Sequence, residues 1–244
     1  MWEIYDALLD GLPDDLRVAV TAQGTVWTCA ETNAGGIGLA MTTVGETRPA
    51  RHLKGLEGLP LRQAAAAVTS WNYEEASVGM AAINAWYNSP ARLASLHCEE
   101  PQKGAIAADI SVRGKDVGVV GHLSLPEGML AGAANVYVLE RVPRPGDYPD
   151  PACEYLLPRC ALVIISGSAL INKTLPRLIN LSRNADVVLI GPTVPMAPAL
   201  LKLGVRRLSG LVLDDAAGIR AHVDNHASGN PYRFGRTFLL EKRP

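Results

Sequence analysis

The residues with the clearest chemical potential lie where one short apolar run ends. The stretch "DVGVVGHLSLP", residues 116–126, has the form of a strand leading into a turn that contains Gly118, Gly121 and His122. A dinucleotide fingerprint needs further glycines that open a helix, and His-Leu-Ser-Leu-Pro stands there instead. Backbone N–H groups and an imidazole therefore predict a ligand-binding turn. The alternative is that the glycines only allow close packing and that His122 is a satisfied polar residue.

Two carboxylates follow the next apolar run and complete an acid–base set. Glu140 comes 22 residues after the first glycine of the turn, near the spacing of an acid that holds a ribose hydroxyl. Asp147 lies in the "PRPGDYPDP" segment that follows. We expect His122, Glu140 and Asp147 to be the candidate catalytic residues, because each can donate or accept a proton. The alternative for Glu140 is a surface ion pair with Arg141 or Arg144.

Glycines and small polar residues also end the later apolar runs. They expose backbone N–H groups and hydroxyls, so we expect them to contact the ligand. The residues concerned are Ser166, Gly167, Asn172 and Thr174 after one run, and Gly191, Pro192 and Thr193 after the next. Asn172 and Thr174 also suit the start of a helix, a role that is compatible with ligand contact.

Five short, continuous apolar runs must position these residues. They are residues 117–121, 136–140, 161–167, 186–191 and 208–214. Runs of this kind, separated by helical stretches, are typical of a doubly wound α/β sheet whose parallel strands are buried on both faces. Ligands of such sheets bind beyond the carboxyl ends of the strands. We therefore expect His122, Glu140 and Asn172 to share one polar pocket that faces the first part of the chain.

The first 90 residues have a different pattern. An amphipathic helix is predicted over the first ten residues, followed by a hairpin around Gln23-Gly24 and a third strand near residues 36–43. Two helical stretches follow, the second stopped by Pro90. This order predicts a small α+β domain, joined near residues 90–104 to the α/β domain.

Composition restricts the class of protein. The chain is 48% hydrophobic and 19% charged, which excludes global disorder. Its 23 basic residues nearly balance its 24 acidic ones, so we expect no nucleic-acid partner, and no apolar run is long enough to span a membrane. The four cysteines are not closely paired, which favours reduced thiols and a cytoplasmic protein. Association into a homo-oligomer stays open.

Several motifs in order give a family resemblance. "VGVVGH", "LERVPRPGDYPDPACEYLLPRCALVIISGSALINKTLPRLI" and "VVLIGPTVPMAP" resemble the bacterial and archaeal family described as putative heavy-metal chelation. Upstream, "RVAVTAQGTVWTCAETNAGGIGLAMTT" and "SVGMAAINAWYN" are similar to the domain that precedes it, which resembles the N-terminal domain of enolases. The resemblance implies an enolase-like α+β domain over residues 1–95 and a Rossmann-like domain over residues 96–244, with a site in the cleft between them.

The resemblance also implies which positions form that site. It carries over the turn glycines, His122, Glu140, Asp147 and the later strand-end residues, and it adds Gly146 and, from the small domain, Asn84 and Asn88. The chain departs from the family pattern at Leu123, Ser166, Ser168 and Thr193-Val194. Because of these differences, the resemblance implies the same site as in the family more strongly than the same substrate.

Three functions compete at this site. A protein that handles or makes a chelating, pterin-like or flavin-like small molecule is favoured, and it can be an enzyme or a pure binding protein. An S-adenosylmethionine- or nucleotide-dependent transferase is the alternative, since it also uses a glycine turn and an acid after the second strand. Direct heavy-metal binding would need clustered ligands, for which the sequence offers only residues 97–100 and the pair His222 and His226. The sequence names no cofactor.

Overall fold

The structure, a computed structural model, describes residues 2–45, 47–50, 55–96, 98–100 and 110–242. Its strands form a three-stranded antiparallel sheet in the first part of the chain and a seven-stranded sheet in the second. The expected fold class, a small α+β unit followed by a mostly parallel α/β sheet, is confirmed.

In the described residues, the small unit contains one α-helix before the sheet and three α-helices after it. Helix α1 is Glu3–Asp10, and the strands are β1 (Val18–Gln23), β2 (Trp27–Thr32) and β3 (Ile37–Met41). The hairpin expected around Gln23-Gly24 joins β1 to β2, with the Gly24 N–H bonded to the Trp27 carbonyl. The later helices are α2 (Leu61–Ala65), α3 (Tyr73–Tyr87) and α4 (Pro90–Ala94). Helix α3 ends before Pro90, which opens α4 because a first-turn proline loses no helical hydrogen bond.

The large sheet contains all five predicted apolar strands. They are β4 (Asp116–Val120), β5 (Asn135–Glu140), β7 (Leu162–Ser166), β8 (Asp186–Ile190) and β9 (Arg207–Leu213). Two strands that the sequence did not predict extend the edges, β6 (Tyr148–Pro149) and β10 (Gly235–Glu241). The order is β10-β9-β8-β7-β4-β5-β6, with every pair parallel except β10 and β9.

Strand–helix alternation fails at the first crossover. Residues 121–134 join β4 to β5 without a helix, because Pro126 and the left-handed Gly121, Gly128 and Gly132 interrupt any regular run. Leu123, Leu125, Met129 and Leu130 in this loop pack against the strands instead. The loop thus covers one face of the sheet as a helix would. The later connections hold α5 (Cys153–Leu156), α6 (Ser168–Ile171), α7 (Leu175–Leu181), α8 (Pro198–Lys202) and α9 (Ala216–Asp224).

The small unit packs against the large sheet through a common core. One cluster of buried residues includes Tyr5 and Met80 from the first part of the chain and Leu139 and Leu170 from the second. The buried Tyr5 hydroxyl donates a hydrogen bond of 2.9 Å to the Leu170 carbonyl. The first and second parts of the chain therefore share apolar contacts and polar ones.

The four cysteines are free thiols, and three of them are buried. Burial raises the pKa of Cys29 and of Cys153 to about 12 and that of Cys160 to about 11, so these thiols serve packing. In the ranges that the structure describes, no helix combines the length and the apolar character needed to cross a bilayer.

Candidate functional site

A cavity of 590 Å³ lies at the carboxyl edge of the large sheet, above β4, β7 and β8. The residues at or after the ends of these strands that line it are His122, Leu123, Ser124, Pro126, Ser166, Gly167, Gly191, Pro192 and Thr193. Trp27 and Met41 of the small unit form another part of the wall, and residues 228–232 after α9 close it with Ser209 and Thr237. The strand ends thus converge on one cavity, as the parallel sheet predicts.

His122 is held between the two predicted carboxylates. Its Nε2 lies 2.6 Å from Asp147 Oδ2, and its Nδ1 lies 3.2 Å from Glu140 Oε1. The imidazole is 26% exposed and lines the cavity, whereas neither carboxylate is part of the lining. The three residues that the sequence predicted as an acid–base set are therefore neighbours, and only the imidazole reaches the cavity.

Asp147 is fixed by a local turn. Its Oδ2 accepts a 2.7 Å hydrogen bond from the Arg144 backbone N–H in addition to the contact with His122. The pKa of the Asp147 carboxyl is lowered below its usual value. The main cause is the hydrogen bond from the Arg144 N–H, and the second is the His122 side chain. An ionised Asp147 is the acceptor that orients the His122 ring.

Glu140 braces the turn at the end of β4. Its Oε1 accepts the His122 backbone N–H at 2.8 Å, and its Oε2 accepts the Arg141 backbone N–H at 3.0 Å. Both carboxylate oxygens are therefore engaged with the protein. The predicted role of holding a ribose hydroxyl does not match this arrangement.

Of the predicted glycines, Gly167 and Gly191 line the cavity, whereas Gly118 and Gly121 do not. Gly121 adopts φ +108°, and a Cβ there would lie 2.9 Å from the Ser166 Cβ, so the turns after β4 and β7 touch only without a side chain. A Cβ on Gly118 would lie 2.7 Å from Leu157, inside the sheet packing. The interpretation of Gly118 as a ligand contact is corrected, since close strand packing explains it.

The hydroxyls after β7 and β8 have partners within the protein. Ser166 Oγ lies 2.9 Å from Ser168 Oγ, and Thr193 Oγ1 accepts the Met41 backbone N–H at 3.0 Å. The second bond ties the small unit to the edge of the large sheet. Thr193 therefore lines the cavity itself and also holds Met41 of the small unit at the cavity wall.

Asn84 lies outside the cavity lining, contrary to its predicted role as a ligand contact. It is fully buried in α3, and its Nδ2 donates to the carbonyls of Leu39 at 2.7 Å and Thr193 at 3.0 Å. Asn88, one turn later, donates to Val194 and accepts from the Met196 N–H. The two asparagine side chains therefore hold the loop that follows β8 in place through hydrogen bonds to its backbone.

Asn172 and Thr174 also lie outside the lining. Asn172 Oδ1 accepts the Thr174 N–H at 3.1 Å and its hydroxyl at 2.6 Å, forming a turn before α7. Helix α6 is inserted between β7 and Asn172, which moves the asparagine away from the strand end. The pocket expected from His122, Glu140 and Asn172 is thus formed around His122 without the other two side chains.

The sequence analysis did not predict the part of the cavity wall that comes from outside the strand-end turns. Trp27, Met41, Ser209 and Thr237 come from strands in which no local motif marks a site. Residues 228–232, "SGNPY", have the composition of a turn, which could have indicated a loop but not its position over the cavity.

Within the ranges that the structure describes, no group of three His, Cys, Asp or Glu side chains converges as a metal site would. The carboxylates beside His122 face opposite ring nitrogens, so they cannot meet on one ion. His222 Nε2 and Nδ1 face the Gly229 carbonyl and Arg233, and His226 lies beyond the end of α9. The run at residues 97–100 is only partly described, because His97 lies outside the described residues. The described donors therefore do not fit a protein-held heavy metal.

The mostly parallel sheet with a cavity at its carboxyl edge defines an α/β protein with an open, ligand-sized cleft. Two family models, each described as "Putative heavy-metal chelation", match residues 106–238 and residues 5–87. The chain belongs to this family, DUF364, which confirms the resemblance found in the sequence.

Relatives support the same assignment. An uncharacterized protein of Methanocaldococcus jannaschii is 30% identical over 191 residues, which cover 73% of this chain and 71% of the relative. A DUF364 protein of unknown function from Desulfitobacterium hafniense has a crystal structure with a TM-score of 0.90 and 40% identity over 99% of both chains. Another from Pyrococcus horikoshii has a TM-score of 0.81 and 21% identity over 98% of both chains, a likeness of fold alone.

Proposed function

We propose that the protein binds a small planar heterocycle, of pterin-like or flavin-like chemistry, in the 590 Å³ cavity. The lining supports this ligand best, because it combines hydroxyls and glycine backbone with the flat or flexible apolar side chains of Trp27 and Met41. A cavity of this size suits a compact ring system. In the described part of the chain, the lining contains no carboxylate and no lysine or arginine. Polar ring edges can bond to such a wall while the ring faces stay in apolar contact.

His122 is proposed to exchange a proton with the bound ring. Nε2 is engaged by Asp147, whereas Nδ1 faces a Glu140 oxygen that already accepts the His122 backbone N–H. Nδ1 has the longer of the two carboxylate contacts, 3.2 Å against 2.6 Å, and is therefore the nitrogen proposed to turn from Glu140 to the ligand. Asp147 fixes the ring orientation, as the third group of a catalytic set does.

The family description is consistent with a ligand that itself chelates metal. Rings with adjacent nitrogen and oxygen donors bind metal ions, and the protein's own described donors diverge. The bound compound would then supply the ligands of the metal ion, and the protein would bind the compound together with its metal. A transferase that uses S-adenosylmethionine or a nucleotide is less well supported, because both Glu140 oxygens are engaged with backbone N–H groups.

Thermal-shift measurements test the proposal with biopterin, riboflavin, S-adenosylmethionine, ATP and Zn²⁺ as probes. A ring compound at 100 times its Kd should stabilise the fold by about 2.7 kcal/mol through mass action. The variant Thr237→Trp should abolish this shift by filling the cavity, and Thr237→Ser is the matched control that leaves it open. Stabilisation by S-adenosylmethionine or ATP alone would favour the transferase. If Zn²⁺ is the only probe that raises the melting temperature, direct metal binding by the protein is favoured.

A further inference from the structure

One part of the cavity wall, residues 228–232, has few bonds to the rest of the protein. This wall segment follows α9, and all five of its residues line the cavity of 590 Å³. Ser228, Gly229 and Asn230 are exposed and belong to no helix or strand. In the described ranges, their backbone N–H groups have no backbone partner. The position of the wall segment therefore depends on contacts at its two ends.

The side chain of His222, in α9, contacts both ends of the wall segment. Its Nε2 lies 3.2 Å from the Gly229 carbonyl oxygen, and its Nδ1 lies 3.2 Å from Arg233 Nη2. The ring is only 4% exposed and packs against Phe234, with 5.2 Å between the ring centres. A Cβ on Gly229 would lie 3.3 Å from the imidazole Cε1, so the glycine allows this close approach. One buried imidazole thus joins the start of the wall segment to the residue after its end.

The two partners determine which nitrogen of His222 carries the proton. A guanidinium group only donates hydrogen bonds, and a carbonyl oxygen only accepts them. Nδ1 must therefore accept from Arg233, and Nε2 must carry the hydrogen that it donates to Gly229. The neutral Nε2–H tautomer satisfies both contacts. In an imidazolium, Nδ1 would also carry a proton and would face a second cation.

The other ionisable groups around α9 do not offset this repulsion by direct contact. Strands β1, β2, β3 and β9 and the 3-10 helix Pro231–Phe234 lie around α9, and β1 and β3 carry no ionisable side chain. The ionisable side chains near the ring on the remaining elements and on α9 itself are Glu31, which is paired with Arg220, Arg207, which is paired with Glu241, Cys29, Tyr232, and the exposed Asp224 and His226. Burial raises the pKa of Cys29 and of Tyr232 to about 12, so both are neutral near pH 7. In the part of the chain that the structure describes, no carboxylate lies within ion-pair distance of His222.

We propose that His222 is a positioning residue that holds the wall segment closed over the cavity, and that protonation of its ring opens this wall and releases the ligand. This inference rests on the proposed function and adds a regulation of the same site. The closed wall requires the neutral ring, whereas an open wall can take up the proton, so acid favours the open form. Histidine side chains change charge between about pH 5 and pH 8, which is the range in which the wall should respond.

Two measurements test the closed wall without any ligand. NMR of the imidazole nitrogens at pH 7.5 should show the Nε2–H tautomer of His222. Trypsin at pH 7.5 should cleave after Arg233 at least about tenfold faster in His222→Phe than in the wild-type protein, because the aromatic substitute makes neither hydrogen bond. The Nδ1–H tautomer, or equal cleavage of the two proteins, would overturn the inference.

Conservative variants separate the hydrogen bonds from simple packing. His222→Gln has one amide acceptor and one amide donor, as the neutral ring has, so cleavage after Arg233 should stay near the wild-type rate. His226→Asn is the matched control, since it removes an exposed imidazole at φ +51°, a conformation that asparagine tolerates. It should also leave cleavage unchanged. Rapid cleavage in His222→Gln and in His226→Asn alike would show that any change near the segment opens it, and would refute a specific role of His222.

Calorimetric titration with riboflavin as the probe tests the dependence on pH. Between pH 7.5 and pH 5.5 the affinity of the wild-type protein should fall at least about tenfold, and that of His226→Asn should fall equally. His222→Gln cannot take up the proton, so its affinity should fall less, and the fall that remains belongs to His122. Equal falls in the wild-type protein and His222→Gln would overturn the regulation while the ring site stands. Absence of riboflavin and biopterin binding at both pH values, together with the expected cleavage pattern, would refute the proposed function and keep His222 as the residue that positions the wall.

Discussion

His122 owes its position to partners of different kinds. Glu140 accepts its backbone N–H and also lies 3.2 Å from its Nδ1, and Asp147 contacts its Nε2, so one carboxylate fixes the turn and both contact the imidazole. Neither carboxylate reaches the cavity, and each acts through the histidine. Residues adjacent to a site can therefore be essential to its geometry without contacting the ligand.

Asp147→Asn should destabilise the protein most at neutral pH. The pKa of Asp147 is lowered in the folded state, first by the Arg144 N–H and then by His122, so its contribution is present above the unfolded pKa of about 3.9. That contribution is lost as pH falls through the lower, folded pKa. Urea unfolding at pH 7 and at pH 3 should show a wild-type advantage that shrinks in acid. An advantage that grows in acid would contradict the arrangement around Asp147.

Lys173 predicts a pH dependence of the same sign, in the alkaline range. Burial lowers its pKa to about 8, so between about pH 8 and pH 10.5 the unfolded chain binds a proton that the folded chain has lost. The stability of the wild-type protein relative to Lys173→Met should therefore rise with pH across this window. Denaturation of both proteins at pH 7.5 and pH 10 measures the change. A flat difference would show that the amine remains solvated.

At the scale of the element, α3 controls the shape of the cavity from outside it. Asn84 lies in this helix and Asn88 caps its C-terminus one turn later, and both side chains bond to the backbone that follows β8. That backbone supplies Gly191, Pro192 and Thr193 to the lining. A helix of the small unit thus positions a loop of the large sheet.

Asn88→Ala should cost more stability than Asn84→Ala. Asn88 satisfies the buried carbonyls of Val194 and Leu211 and the Met196 N–H, so its removal leaves three groups unpaired, at a cost of about 3 kcal/mol. Asn84 satisfies chiefly two carbonyls, and its own Oδ1 is unpartnered, so about 2 kcal/mol is expected. Urea denaturation compares the two variants. The reverse order would show that the loop after β8 does not depend on Asn88.

At the scale of the whole molecule, the two parts of the chain share a core and several polar bonds. The contacts Tyr5–Leu170, Met41–Thr193 and Asn88–Val194 all cross between them. The boundary between two domains that the sequence predicts near residues 90–104 remains a prediction. Shared burial on this scale couples the stability of one part to that of the other.

The protein should therefore unfold in a single calorimetric transition. Tyr5→Phe leaves the buried Leu170 carbonyl unpaired, at a cost of about 1–2 kcal/mol, and should lower the Tm of the whole transition by roughly 2–8 °C. Scanning calorimetry checks both points, with agreement of calorimetric and van't Hoff enthalpies as the criterion. Two resolved transitions, with only one displaced by the substitution, would show independent domains.

The sequence by itself determined five strands of the large sheet and the local part of the candidate site, but not β6, β10 or the helix-free connection after β4. The strands β4, β5, β7, β8 and β9 were predictable because strands buried on both faces are continuous apolar runs. The turn with His122 and the strand-end residues 191–193 were predictable because a parallel sheet brings its carboxyl ends to one edge.

Only the tertiary structure decided which side chains face the cavity. Trp27, Met41, Ser209 and Thr237 reach the cavity through packing between elements distant in the sequence. The same packing buries Asn84 as a clamp, and the inserted α6 carries Asn172 away from the strand end. Local patterns specify where a strand or turn begins, because that depends on neighbouring residues. The direction of a side chain depends on the elements that pack against it, and distant parts of the chain supply these.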